Sequence, residues 1–212
     1  VSCVDSGTET NDRGWLEDNF GQFRFRAAFQ DFLSLKKDFK GAEVADLLTF
    51  SQLKELAAIS SQLKGTQDVT KVMTVINPAH FAAFFDSLSK AVVAQSVNYT
   101  QEVKSAFLQA VFDRGGLPAV GDDDFLQWLK RLNPLLVDLS PNLVTRFVNL
   151  AANRNCTISQ EMINVLDTIQ TTLSNHTKAE IYKNVLLFLQ AKEICCKTCL
   201  CYILFAKQIQ RH

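Results

Sequence analysis

A chain of 212 residues with 22 basic and 22 acidic side chains carries no net charge. Dedicated binders of nucleic acid or anionic membrane concentrate lysine and arginine to displace counterions, and the balance here argues against both. Eight glycines and four prolines are too few for a turn-rich β-sandwich, while sixteen phenylalanines against two tryptophans and three tyrosines supply bulk for interhelix packing with few polar handles.

Residues 1–14 (VSCVDSGTETNDRG) are polar, lack periodicity and begin without methionine. They predict a disordered lead-in to a processed or excised fragment. No signal peptide is visible, and a mature secreted chain would already have lost one. Residues 15–193 then predict a helical domain. Its first helix runs from Trp15 to Phe39, with Trp15, Leu16, Phe20, Phe23, Ala27, Phe32, Leu33 and Leu35 as the apolar stripe, Lys36 and Lys37 at the cation-favouring end, and Gly41 as the stop. Ala42–Leu48 reads as a short helix. Thr49-Phe50-Ser51-Gln52 fits a capping box before Leu53, Leu56, Ile59 and Leu63, with Gly65 ending that helix, and Val69, Val72, Met73 and Ile76 draw a third brief stripe.

The stretch from Asn77 to Gly116 predicts two amphipathic helices on a short connector. Asn77-Pro78 suits a helix start, because asparagine accepts an orphan N–H and proline at the first helical position has none to leave unpaired. Phe81, Phe84, Phe85, Leu88, Val92 and Val93 draw the first stripe, the link carries Asn98-Tyr99-Thr100, and Val103, Phe107, Leu108, Val111 and Phe112 draw the second. Gly115-Gly116 supplies the positive φ that closes a helix. Asp122-Asp123-Asp124 has neither the alternate ligand spacing nor the glycine and distal glutamate of a calcium loop, and reads as a helix N-terminus before Phe125, Leu126, Trp128, Leu129 and Leu132.

The unit then recurs in degenerate form. Ser140-Pro141 restates the start, Phe147 and Leu150 restate Phe85 and Leu88, Asn155-Cys156-Thr157 falls where Asn98-Tyr99-Thr100 fell, and Met162, Ile163, Leu166 and Ile169 supply a second stripe. A shorter pass leads from Asn175-His176-Thr177 into Ile181, Val185, Leu186 and Leu189. Such pairs bury their stripes by stacking, which predicts an all-α, armadillo-like superhelix of antiparallel helix pairs. Thr157-Ile158-Ser159-Gln160 and Thr177-Lys178-Ala179-Glu180 both read as capping boxes.

Three Asn-x-Ser/Thr triplets, at Asn98, Asn155 and Asn175, fall at predicted interhelix links where a glycan is tolerated. The six cysteines, Cys3, Cys156, Cys195, Cys196, Cys199 and Cys201, are compatible with disulfides, but six allow fifteen pairings. The four in the tail could instead form a zinc set, at a spacing unlike structural zinc sites, or accept lipid on a cytosolic face. Residues 194–212 form a Cys-rich, basic tail. Its apolar run from Ile194 to Ala206 falls short of the roughly 20 residues that span a bilayer, so no transmembrane segment is predicted.

No catalytic, cofactor or metal motif is present. His80, His176 and His212 are the only histidines and none has ligand spacing or a nucleophile beside it. No Gly-x-Ser-x-Gly elbow, phosphate-cradling glycine loop or His-Glu-x-x-His helix occurs. The expectation is a chain that is not an enzyme.

The run Trp15-Leu16-Glu17-Asp18-Asn19-Phe20-Gly21, the phrase Leu47-Leu48-Thr49-Phe50-Ser51-Gln52-Leu53-Lys54-Glu55-Leu56, and helical pairs with sequons at their links resemble the mesothelin, stereocilin and otoancorin group. The family phrase carries serine where Thr49 stands here, and the tail after Lys192 departs from the pattern. The resemblance spans residues 15–190. It implies a superhelical stack in a secreted or cell-surface glycoprotein that binds a protein or matrix partner in adhesion. An intracellular helical scaffold, with accidental sequons and reduced cysteines, is the alternative. In the stacked arrangement the three sequons would line one edge, leaving a concave face for the partner, with Lys104, Gln109 and Glu161 as its exposed candidates.

Overall fold

A computed structural model describes residues 11–117 and 120–191, and among them the protein is all-helical, with no strand. The chain divides into two compact units, Val1–Phe107 and Leu108–His212.

The first unit opens with α1 (Asp12–Phe20), whose N-cap Asn11 accepts the Gly14 N–H at 2.9 Å. Helix α1 thus takes in the last three residues assigned to the lead-in, Asp12 to Gly14. The single helix expected from Trp15 to Phe39 is broken. Gly21 takes a φ of +49° and ends α1, a 3₁₀ turn follows over Gly21–Phe25, and α2 occupies Phe29–Leu35. Positive φ costs a glycine little, which is why the break falls there. Gly41, expected as a stop, begins a second 3₁₀ stretch (Gly41–Leu47) and lies against the core. A Cβ at this position would meet the Phe29 ring and Leu56 Cδ1 at 2.5 Å.

Helix α3 (Phe50–Ala57) begins on the predicted capping box: Thr49 Oγ1 accepts the Gln52 N–H at 3.3 Å and Gln52 Oε1 accepts the Thr49 N–H at 2.8 Å. Gln52 is 1% exposed, and its Nε2 also donates to Arg24 O at 2.6 Å and Ala27 O at 2.8 Å, tying down the segment between α1 and α2. Helix α3 ends at Ala57, well before Gly65. Gly65 instead precedes α4 (Thr66–Val75), in extended backbone. Asn77 caps the turn Pro78–His80, accepting the Ala79 N–H at 3.0 Å, and delivers the chain to α5 (Phe81–Val93), as the Asn-Pro pair predicts.

Side chains from later elements complete the starts of earlier ones. Glu55 Oε2 accepts the Phe29 N–H at 2.7 Å, Gln62 Oε1 accepts the Gly41 N–H at 2.9 Å, and Glu102 Oε1 accepts both the backbone N–H and the hydroxyl of Thr66 at 3.0 Å. These are orphan donors that a helix cannot satisfy by itself. The apolar interior has two aromatic clusters. Trp15, Phe20, Phe29, Phe32 and Phe39 form one, and Phe81, Phe84, Phe85, Tyr99 and Phe107 form the other, with ring centroids 4.9 to 6.2 Å apart. Phe85 and Phe107, predicted to face each other, are both fully buried.

Helix α6 (Gln101–Arg114) carries the predicted stripe; Val103, Phe107, Leu108, Val111 and Phe112 are all buried. It ends on Gly115, whose N–H donates to Val111 O at 2.8 Å, and Gly116, at φ +63°. The second unit continues with α7 (Asp122–Leu136), α8 (Pro141–Asn149), α9 (Cys156–Ile169) and α10 (Asn175–Ala191). Alternate helices pack most extensively, α8 on α10 and α7 on α9. Leu132, Leu135, Leu136, Val144, Phe147, Met162, Leu166 and Val185 fill the interior, and Phe112 stacks on Phe147 at 6.3 Å. The aspartate triplet occupies the first turn of α7, as expected, where the helix dipole favours carboxylates.

Candidate functional site

The three sequons fall in three different settings. After α5, Gln95 takes a positive φ of 53°, and both the N–H and the hydroxyl of Ser96 donate to Ala91 O, which turns the chain out of the helix. The link then runs outside any helix with alternating burial, Val97 and Tyr99 each 4% exposed and Asn98 and Thr100 exposed between and beyond them. The Tyr99 hydroxyl donates to Ala57 O at the end of α3, and burial pushes its phenol well above the ordinary value. Asn98 therefore points to solvent from a segment pinned on both sides.

Asn155 is a helix cap. Its Oδ1 accepts the Ile158 N–H at 3.0 Å, and its Nδ2 donates to Asp122 Oδ2 at 2.5 Å. The capping box expected at Thr157–Gln160 is not formed: Thr157 lies two residues past the cap, inside α9. Asn175 is the first residue of α10, so it does not lie in a link. The box expected at Thr177–Glu180 fails for the same reason. The cap is Ser174, whose Oγ accepts the Thr177 N–H at 3.1 Å and lies 2.9 Å from the Thr177 hydroxyl, and Thr177 is 1% exposed. In both cases a hydroxyl or amide just upstream reached the orphan N–H groups first.

Arg154, buried beside Asn155, was not anticipated from sequence. Its guanidinium donates to Leu117 O at 2.6 Å, Val120 O at 2.9 Å and Asp122 Oδ1 at 3.1 Å, its Nε donates to Leu150 O at 3.1 Å, and it covers the Phe125 ring at 4.1 Å. Arg154 and Asn155 together hold both oxygens of Asp122, which makes the aspartate part of a structural clamp. The only hint in the sequence is an arginine one residue before an Asn-x-Thr cap.

Cys156 is half-buried at the first position of α9. Cys3, Cys195, Cys196, Cys199 and Cys201 lie outside the described residues, as does the whole of the tail, 194–212. Among the described residues no group of three metal-ligating side chains comes together, and no described helix is long and apolar enough to cross a membrane. His80 lies against Phe50, ring centroids 5.0 Å apart. Open clefts of about 480 and 440 Å³ flank the segment from Asp38 to Glu43. Their charges largely neutralise one another, with Lys36 on Asp12 at 2.6 Å and Glu43 on Lys71 at 2.8 Å.

The residues expected to present a binding face are divided. Gln109 and Glu161 are exposed, whereas Lys104 is only 8% exposed and is not a surface residue. An unexpected surface is the 3₁₀ turn Gly21–Phe25. Phe23 and Phe25, the former predicted on the buried stripe, are 73% and 54% exposed, and Leu35, also predicted buried, is exposed too. The kink at Gly21 rotates Phe23 away from the face that α1 buries. Arg24 lies over the Phe25 ring at 4.2 Å, and Arg26 is exposed beside it. The result is a pair of apolar rings bracketed by two cations on a short turn anchored by Gln52.

Comparison with family models, with curated protein sequences and with solved structures finds no significant match.

Proposed function

We propose that this chain is a non-catalytic helical binding module of a secreted or cell-surface glycoprotein, related in role to the mesothelin, stereocilin and otoancorin group, and that it engages a protein partner in adhesion or matrix attachment. The observation that carries the reading is the exposed Phe23–Phe25 pair with Arg24 and Arg26. Exposed phenylalanine is unfavourable on a surface with no use for it, and aromatic rings and arginine are the side chains that dominate the buried centres of protein interfaces. The cations select the partner's chemistry: an apolar pocket rimmed by carboxylates.

Packing in the second unit supports the repeat part of the reading. Contacts of α7 with α9 and of α8 with α10 are those expected if α7–α8 and α9–α10 are successive helix pairs, each burying its stripe on the next. Cysteine pairing belongs to the same proposal, with Cys156 joined to one of the cysteines at 3, 195, 196, 199 or 201 in an oxidising compartment.

The test is cell attachment to wells coated with the full chain, secreted from a eukaryotic host, against a Phe23→Ser/Phe25→Ser variant of equal melting temperature. Attachment by the wild type and its loss in the variant are expected. Failure of the wild type to support attachment, or equal attachment by both, overturns the proposal.

A further inference from the structure

We infer that Asn98 is the sequon that carries carbohydrate and that Asn155 and Asn175 stay bare because the fold uses their triplets. The inference rests on the extracellular reading above, since attachment requires the secretory route. In the transfer, Nδ2 of asparagine attacks the anomeric carbon of a lipid-pyrophosphate-linked oligosaccharide. The new C–N bond replaces the C–O bond to pyrophosphate, which leaves with its electron pair while the amide gives up one proton. The acceptor triplet must lie in an accessible loop when this happens and the product must afterwards tolerate a bulky group.

Asn98 meets both demands in the finished fold. It sits in a link outside any helix, its side chain is exposed, and its neighbours Val97 and Tyr99 are buried beneath the segment without using the Asn98 amide. The Thr100 hydroxyl is close to the Val103 N–H at 3.4 Å, a long and weak cap. Asn155 meets neither. Both atoms of its amide are engaged, Oδ1 with Ile158 N–H and Nδ2 with Asp122, and Cys156 and Thr157 are already helical. A sugar on Nδ2 would have to share that nitrogen with Asp122, itself held by Arg154. The Asn175 triplet is wound into the first turn of α10, with Thr177 buried and its hydroxyl on Ser174. Formation of either helix start therefore removes the triplet from the acceptor conformation, whereas folding of the link keeps Asn98 presented.

The experiment expresses the full chain behind a cleavable leader in a eukaryotic secretory host as wild type, Asn98→Gln, Asn155→Gln and Asn175→Gln, and compares mobility before and after a glycan-removing amidase. The expected result is an amidase-sensitive shift in the wild type that is lost only in Asn98→Gln. Asn155→Gln keeps the shift but melts several degrees lower, whereas Asn98→Gln treated alongside amidase-stripped wild type melts equally. A shift that survives Asn98→Gln, or one that Asn155→Gln or Asn175→Gln removes in part, overturns the site assignment and leaves the extracellular reading standing. A chain that is exported and supports cell attachment with no amidase-sensitive shift also overturns the assignment alone. Retention of every form inside the cell overturns both.

Discussion

Phe85 of α5 and Phe107 of α6 meet edge to face, ring centroids 6.1 Å apart and 81° between their planes, with neither ring exposed. The pair joins Phe84 and Tyr99 in the cluster that holds the sequon link against the first unit. Truncating either ring removes a large buried surface and leaves a cavity, so Phe85→Ala and Phe107→Ala are each expected to cost about 3–5 kcal/mol. Because the rings touch, the double variant should cost measurably less than the sum of the two. Denaturant unfolding checks both statements.

Gln52 predicts a different kind of loss. Gln52→Leu keeps the volume but takes the Gln52 amide from the carbonyls of Arg24 and Ala27 and from the N–H of Thr49, in a part-buried region. A cost of about 2–5 kcal/mol is expected from groups buried unpaired. The effect should be local as well as global: amide exchange across residues 22–29 is expected to accelerate more than across α5.

Arg154→Lys tests the clamp between α7 and α9. Lysine keeps the charge but cannot reach Leu117, Val120 and Asp122 at once from a single ammonium. About 2–4 kcal/mol of destabilisation is expected from the carbonyls left behind. A melting temperature within a degree of the wild type would show the clamp to be dispensable.

The Glu102 carboxylate predicts a pH dependence. The backbone N–H of Thr66, and next its hydroxyl, stabilise the charged form and lower the pKa from 4.5. A carboxylate with a depressed folded pKa contributes stability that is present above its unfolded value and is lost as pH falls through the folded one. Unfolding midpoints should therefore fall from about pH 5 downward in the wild type. Glu102→Gln is expected to flatten that part of the profile and to differ little from wild type at the acid end.

Much of the helical layout is legible because it obeys local rules. The Thr49–Gln52 box, the Asn77-Pro78 start, the positive φ of Gly116 and the stripe through Phe81, Phe84, Phe85 and Leu88 all follow from spacing and side-chain chemistry. Competition between near-equal local signals hides the rest. Ser174 and Asn155 each outcompete a threonine two or three residues later for the same orphan donors. The stripe from Trp15 to Leu35 is continuous in letters but broken in space, because Gly21 can stop a helix or sit quietly within one, and the Gln52 amide that holds the carbonyls of Arg24 and Ala27 beyond the stop comes from 25 to 28 residues later. Lys104 misleads for the opposite reason. A lysine reads as solvated, yet its long apolar stem lets it lie along a buried face. The exposed pair Phe23 and Phe25 is thus invisible to periodicity.

The caps supplied from a distance have a consequence for the order of events during synthesis. The start of α2 waits for Glu55, 26 residues later, the turn at Gly41 for Gln62, 21 residues later, and the start of α4 for Glu102, 36 residues later. A nascent chain that has emerged only as far as α4 still has that helix's first N–H groups facing water, so its early helices fray until the downstream carboxylate leaves the ribosome. The first two caps close overlapping loops, 29–55 and 41–62, and the third closes 66–102 after them, so the first unit matures in steps from its amino end. A stalled or cleaved chain ending before residue 102 is accordingly expected to be an easy substrate for proteolysis, although every residue of α1 to α4 is present.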